Sequence, residues 1–113
     1  MKQLSLVLVA VIAVAGCSAG TPVTITNQSA APIENVVIFG SGFRKPVGSI
    51  AAGQSVSVRV QPKGESGLGI SFRSGPRLVE GQPQGYFEGG GAYKVSVAVA
   101  PDLSTRVRAG LKY

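Results

Sequence analysis

The sequence predicts an all-β chain folded as a single antiparallel β-sandwich of seven to eight strands, and three observations carry that expectation. Apolar and polar side chains alternate at a period of two over several short stretches, turn-forming sequences separate those stretches, and no stretch beyond residue 22 has a helical period. Such alternation gives each strand one face for a core and one for water.

The chain does not open as a strand. Lys2 precedes a run of apolar and small residues from Leu4 to Val14 that only Ser5 interrupts, which is the layout of an export signal. A helix spanning a hydrocarbon core of about 30 Å needs roughly 20 apolar residues, so this shorter run predicts a cleaved leader rather than a permanent span. The run closes on Val14-Ala15-Gly16-Cys17. That tetrapeptide resembles the lipobox of bacterial lipoproteins, a resemblance that covers the leader alone. It implies that residues 1–16 are removed, that the Cys17 thiol takes a diacylglyceryl group, and that the freed amine receives a further, palmitate-type chain. Two or more chains anchor a protein stably, at about 0.8 kcal/mol per buried methylene. Ser18, standing where an aspartate would retain such a protein, implies the periplasmic face of the outer membrane; the outer face of the cytoplasmic membrane is the alternative.

Cys17 is the only cysteine, so no disulfide can form within the mature chain and the apolar core has to hold the fold. About 96 residues follow it, enough for one domain with one modest core. Residues 17–22 are expected to be the lipidated cysteine and a short tether. The five residues from Ser18 to Pro22 reach less than about 18 Å when fully extended, which keeps the domain, residues 23–113, close to the bilayer.

Within that domain the first candidates are residues 23–27, 33–39 and 46–50, separated by Asn27-Gln28-Ser29 and Gly40-Ser41-Gly42. After Ala52-Gly53-Gln54, Val56, Val58 and Val60 alternate with Ser55, Ser57, Arg59 and Gln61; after Pro62-Lys63-Gly64, Leu68, Ile70 and Phe72 alternate with Gly69, Ser71 and Arg73. A candidate over 78–88 is interrupted at 81–85. Beyond Gly89-Gly90-Gly91, Tyr93, Val95, Val97 and Val99 form the longest alternation. The stretch Gly48-Ser49-Ile50-Ala51-Ala52-Gly53-Gln54-Ser55 looks like the loop entering a strand in immunoglobulin-like and transthyretin-like domains, an architectural likeness that implies no function.

The C-terminal hairpin permits a register. A turn at Pro101-Asp102-Leu103 pairs Val99 with Thr105, Val97 with Val107, Val95 with Ala109 and Tyr93 with Leu111, so that apolar faces coincide. Arg106 and Arg108 then fall beside Ala98 and Ser96, and Lys94 near Gly110, which lets their methylene stems lie over small neighbours.

Charge gives the main hint of a partner. Of eleven Lys and Arg, Lys2 leaves with the leader, so ten face five acidic side chains, a net +5. Lys94, Arg106, Arg108 and Lys112 share one side of the hairpin. Two readings stand beside each other: a docking surface for an anionic partner, and a solvated face whose cations discourage edge-to-edge aggregation. A second candidate is Gly40-Ser41-Gly42-Phe43-Arg44-Lys45-Pro46, a loop that sets Phe43 beside the cations Arg44 and Lys45, aromatic and arginine side chains being the usual anchors of protein interfaces; Phe43 folding back as a plug on the sandwich end is the other reading.

Catalysis finds little support. The chain has no histidine and no tryptophan, so the commonest general base and metal ligand is missing. Glu34, Glu65, Glu80, Glu88 and Asp102 are spread singly. Glu80 and Glu88 could meet across a hairpin, as paired-carboxyl chemistry requires, yet nothing in the sequence brings them together. The Gly89-Gly90-Gly91 stretch lacks the phosphate-loop frame and no helix follows it. No enzyme activity, cofactor, metal or nucleic-acid partner is expected. The expected function is that of a lipid-anchored adaptor binding a protein of an envelope assembly. The alternatives are a binder of an anionic envelope component, lipopolysaccharide or a peptidoglycan fragment, through the basic hairpin, and an inhibitor of an envelope-degrading hydrolase with Phe43 as its wedge.

Overall fold

The computed structural model of the protein describes residues 20–112. The leader, Cys17 and the tether as far as Ala19 lie outside the described residues. Nine strands follow in order: β1 (Thr21–Asn27), β2 (Ile33–Gly40), β3 (Phe43–Ile50), β4 (Ser55–Val60), β5 (Glu65–Ser74), β6 (Arg77–Glu80), β7 (Gln84–Glu88), β8 (Tyr93–Val99) and β9 (Thr105–Leu111). They make two sheets of a sandwich. The first runs β4-β1-β8-β9; the second runs β3-β2-β5, with β6 and β7 both on the free side of β5.

The sandwich has nine strands rather than the expected seven to eight, and the departures from the sequence expectation have physical causes. The first strand starts at Thr21 rather than Val23, because Thr21 and Pro22 already pair with Val60 and Arg59 of β4. Pro22 is tolerated there because the ladder to β8 begins only at Val23, and at the end of a strand its missing N–H breaks no bond. The pairing of β1 with β8 is parallel, which a long crossover through the second sheet permits; every other pair is antiparallel. Finally, the candidate over 78–88 is one edge broken in two. Gly81-Gln82-Pro83 leaves the ladder, so β6 pairs with Ser71–Ser74 of β5 and β7 with its other half, while the Gly81 amide still donates to the Ile70 carbonyl at 2.8 Å.

The core is aliphatic with two phenylalanines. Val23 and Ile25 of β1, Ile38 of β2, Leu68, Ile70 and Phe72 of β5, Phe87 of β7, and Val95, Val97 and Val99 of β8 are all buried between the sheets, each such side chain contributing about 1.5–3 kcal/mol. Among polar groups, Asn27 is fully buried. Its Nδ2 donates to the carbonyls of Ala31 (2.9 Å) and Ile50 (3.0 Å), and its Oδ1 accepts from the Ser29 amide and hydroxyl. One side chain thus ties the turn after β1 to the end of β3.

The expected loop over residues 40–46 is a two-residue turn. Gly40 pairs with Phe43 across Ser41-Gly42, with Gly42 at φ 76°, a left-handed value that glycine adopts without strain. Phe43, Arg44 and Lys45 therefore belong to β3, not to a projecting loop.

Candidate functional site

The C-terminal hairpin forms in the register derived above: Val99 faces Thr105, Val97 Val107, Val95 Ala109 and Tyr93 Leu111. Its turn closes through Leu103 N–H to the Ala100 carbonyl and Ala100 N–H to the Ser104 carbonyl, both 2.8 Å. Asp102 Oδ1 accepts from the Ser104 amide (3.0 Å) and hydroxyl (2.7 Å), bonds that hold its carboxyl below the usual carboxylate range. Arg108 stands opposite Ser96, Arg106 opposite Ala98, and Lys94 opposite Gly110.

Strand pairing extends that face across the whole first sheet. Alternation on β1, β8 and β4 places three rows on the outer surface: Arg59, Pro22, Lys94 and Gly110; Ser57, Thr24, Ser96 and Arg108; Ser55, Thr26, Ala98 and Arg106. Five of these side chains are hydroxyls and four are cations; none is a carboxylate and none is aromatic. The Thr24 and Ser57 hydroxyls lie 3.1 Å apart, those of Thr26 and Ser55 2.7 Å apart. Arg59 leans over the sheet end, its Nη1 donating to the Gly20 carbonyl at 3.2 Å. Because Ala98 and Ser96 are small, a shallow depression of about 200 Å³ opens above them, walled by Thr26 and Gln28 on one side and Arg106 and Arg108 on the other. A ligand seated there would meet two guanidinium forks able to take an anionic group bidentately.

The outer face of the second sheet differs. Glu34 stands opposite Arg73, Arg44 opposite Phe39, and Glu80 opposite Ser71, so both charge signs are interspersed there. Phe39 lies over Gly69, where a Cβ would clash with the ring.

The other candidate residues separate. Phe43 is half-buried, packs on the core and sets its ring 6.4 Å from that of Phe87, so it plugs the sandwich and offers no wedge. Arg44 and Lys45 are exposed on an edge strand, and Lys45 is paired with Ile38. Lys112 borders a cavity at the pole where β1 begins, away from Arg106 and Arg108. Glu80 and Glu88 are not cross-strand partners: Glu88 faces Glu65 instead.

One cluster went unnoticed in the sequence. Tyr86 (47% exposed) and Leu111 (46% exposed) are large, unburied and close to Tyr93, whose ring meets that of Tyr86 edge-on at 6.3 Å. The Tyr86 hydroxyl donates to the Glu88 carboxylate. That bond first, then desolvation and the nearby negative charges of Glu65 and Glu88, push the phenol up to about 12. The available signal was the spacing of two along one strand, Tyr86 to Glu88, which puts both on one face.

Neither a family model nor a curated protein matches the chain. Among solved structures the chain is similar to the NMR structure of a protein from Eubacterium rectale, with a TM-score of 0.47 and 12% identity over 83% of this chain and 89% of that one. The assignment as a β-sandwich rests on the strand pairing itself.

Proposed function

We propose that this protein is a non-catalytic, lipid-anchored binding module of a bacterial envelope, and that its outer first-sheet face docks an anionic envelope component such as a lipopolysaccharide core or peptidoglycan fragment. The observation that carries this is the makeup of that face: Arg59, Lys94, Arg106 and Arg108 among five hydroxyls, with no acid. Interfaces between proteins are anchored by aromatic side chains as well as arginine and are depleted in serine; this face shares the arginines but has no aromatic and is rich in hydroxyls. A hydroxylated, anionic polymer matches it in both hydrogen bonding and charge. The anchor is Cys17, supported by the lipobox resemblance, and the short chain from Cys17 to β1 holds the face near the membrane.

The adaptor reading retains one observation in its favour, the exposed Tyr86–Tyr93–Leu111 cluster at the β7/β9 edge, which has the aromatic character of a protein contact. Crosslinking pull-down from native envelopes separates the two, with Cys17→Ala as the unanchored control. The proposal expects glycolipid or cell-wall material that high salt releases. A single protein complex retained in high salt would replace it with the adaptor.

A further inference from the structure

A cavity of about 450 Å³ opens at the pole where β1 begins, between the end of β7 in the second sheet and the ends of β1, β4 and β9 in the first. The binding face proposed above does not include it. Its wall includes Gly20, Thr21, the Gly89-Gly90-Gly91 loop and Lys112. Three observations point to one ligand chemistry.

The first is Thr21. Its side chain falls on the inward face of β1, is fully buried, and its hydroxyl has no hydrogen-bond partner among the described residues; a native structure rarely leaves such a group without water or ligand. The second is the glycine loop. Gly90 and Gly91 hold φ at 106° and 86°, and a Cβ on either would meet open space, so these glycines serve backbone conformation rather than packing. Outside the strand ladders, no backbone hydrogen bond among the described residues uses the amides of Gly89, Gly90 or Gly91, and successive unpaired backbone amides in a turn are able to converge on an anion. The third is charge: among the described residues the wall carries the Lys112 ammonium and no acidic side chain.

We propose that this polar cavity binds a phosphate group, the Thr21 hydroxyl and the loop amides donating to its oxygens and Lys112 balancing its charge. Two sources supply that chemistry, a free phosphate ester and a phospholipid headgroup. Place favours the headgroup. Gly20 is three residues beyond Cys17, a reach of at most about 11 Å, which sets the cavity level with the headgroup layer. That source rests on the anchoring proposed above, while the phosphate chemistry does not.

The test follows amide NMR shifts of the full lipidated chain in dodecyl maltoside micelles titrated with inorganic phosphate, and again in phosphatidylglycerol nanodiscs. The amides of Thr21 and Gly89 to Gly91 should move together and saturate in one arm or both; movement in the nanodisc arm identifies the headgroup, and movement with inorganic phosphate alone the free ester. Thr21→Val, which keeps the shape and removes the donor, and Lys112→Gln should each weaken the phosphate midpoint by about tenfold, the loss expected for one charge-assisted bond. Still amides in both arms, or an unchanged midpoint in both variants, would overturn the proposal. Arg106→Glu with Arg108→Glu must leave these shifts in place, and Cys17→Ala must still respond to inorganic phosphate, so failure of the face or of the anchor is distinguishable from failure of this site.

Discussion

Asn27 shows how much one buried polar side chain contributes. Replacing it with alanine removes its four hydrogen bonds and strands the Ile50 carbonyl in the core, so Asn27→Ala should cost about 3 kcal/mol in urea unfolding with an unchanged slope. Thr21→Val should do the opposite. It deletes a buried hydroxyl that has no partner among the described residues and should raise stability by about 1 kcal/mol in the absence of phosphate. Tyr86 gives a pH signature. Its phenol is raised from 10.0 to about 12, so the folded chain holds that proton more tightly than the unfolded one. The stability this confers is complete below pH 10 and disappears as pH rises through about 12. Glu88→Gln removes the carboxylate that accepts the proton and should bring Tyr86 back toward 10 in an ultraviolet titration; an unmoved titration would contradict the assignment. Of these, only the Tyr86–Glu88 spacing leaves a signal in the sequence; a turn-forming Asn27 and a Thr21 read as tether look alike whether their polar atoms are satisfied or not.

Strands and their pairings were legible to different depths. The β8–β9 hairpin could be registered residue by residue because one turn and two alternating strands leave a single arrangement with both apolar faces together. The turn adds its own acid dependence: Asp102 is held below its usual 3.8 by Ser104, so its contribution is present above 3.8 and is lost as pH falls through the lowered value. Amide exchange at Ser104 should therefore accelerate on acidification relative to an Asp102→Asn chain. Phe43 was harder. Two glycines around Ser41 suggest a projecting loop, whereas Gly40 and Gly42 instead make a two-residue turn and a seat for the Phe43 ring, which a Cβ on Gly40 would clash with at 2.5 Å. The break at Gly81-Gln82-Pro83 was visible, but not that both halves return to the same strand, β5. Long-range neighbours leave no local pattern.

For the whole molecule, the sandwich decides which cations act together. The sequence showed four basic residues on one hairpin, and the β4-β1-β8-β9 order adds Arg59 and the hydroxyls of Thr24, Thr26, Ser55 and Ser57 to the same surface while Lys112 goes to the pole. It also keeps every acid off that surface: Glu34 and Glu80 lie on the second sheet, Glu65 and Glu88 at its β5/β7 edge, and Asp102 in a turn. One face of a single sign and one of mixed sign is an asymmetry that solubility alone does not require. The most direct test is binding of the full-length protein to lipopolysaccharide micelles and to peptidoglycan fragments, at low and high salt, beside an Arg106→Glu, Arg108→Glu double variant. Both positions are exposed, so its melting temperature should match the parent's. The account predicts salt-sensitive binding that the double variant loses; equal binding by parent and variant, or none by either, would contradict it.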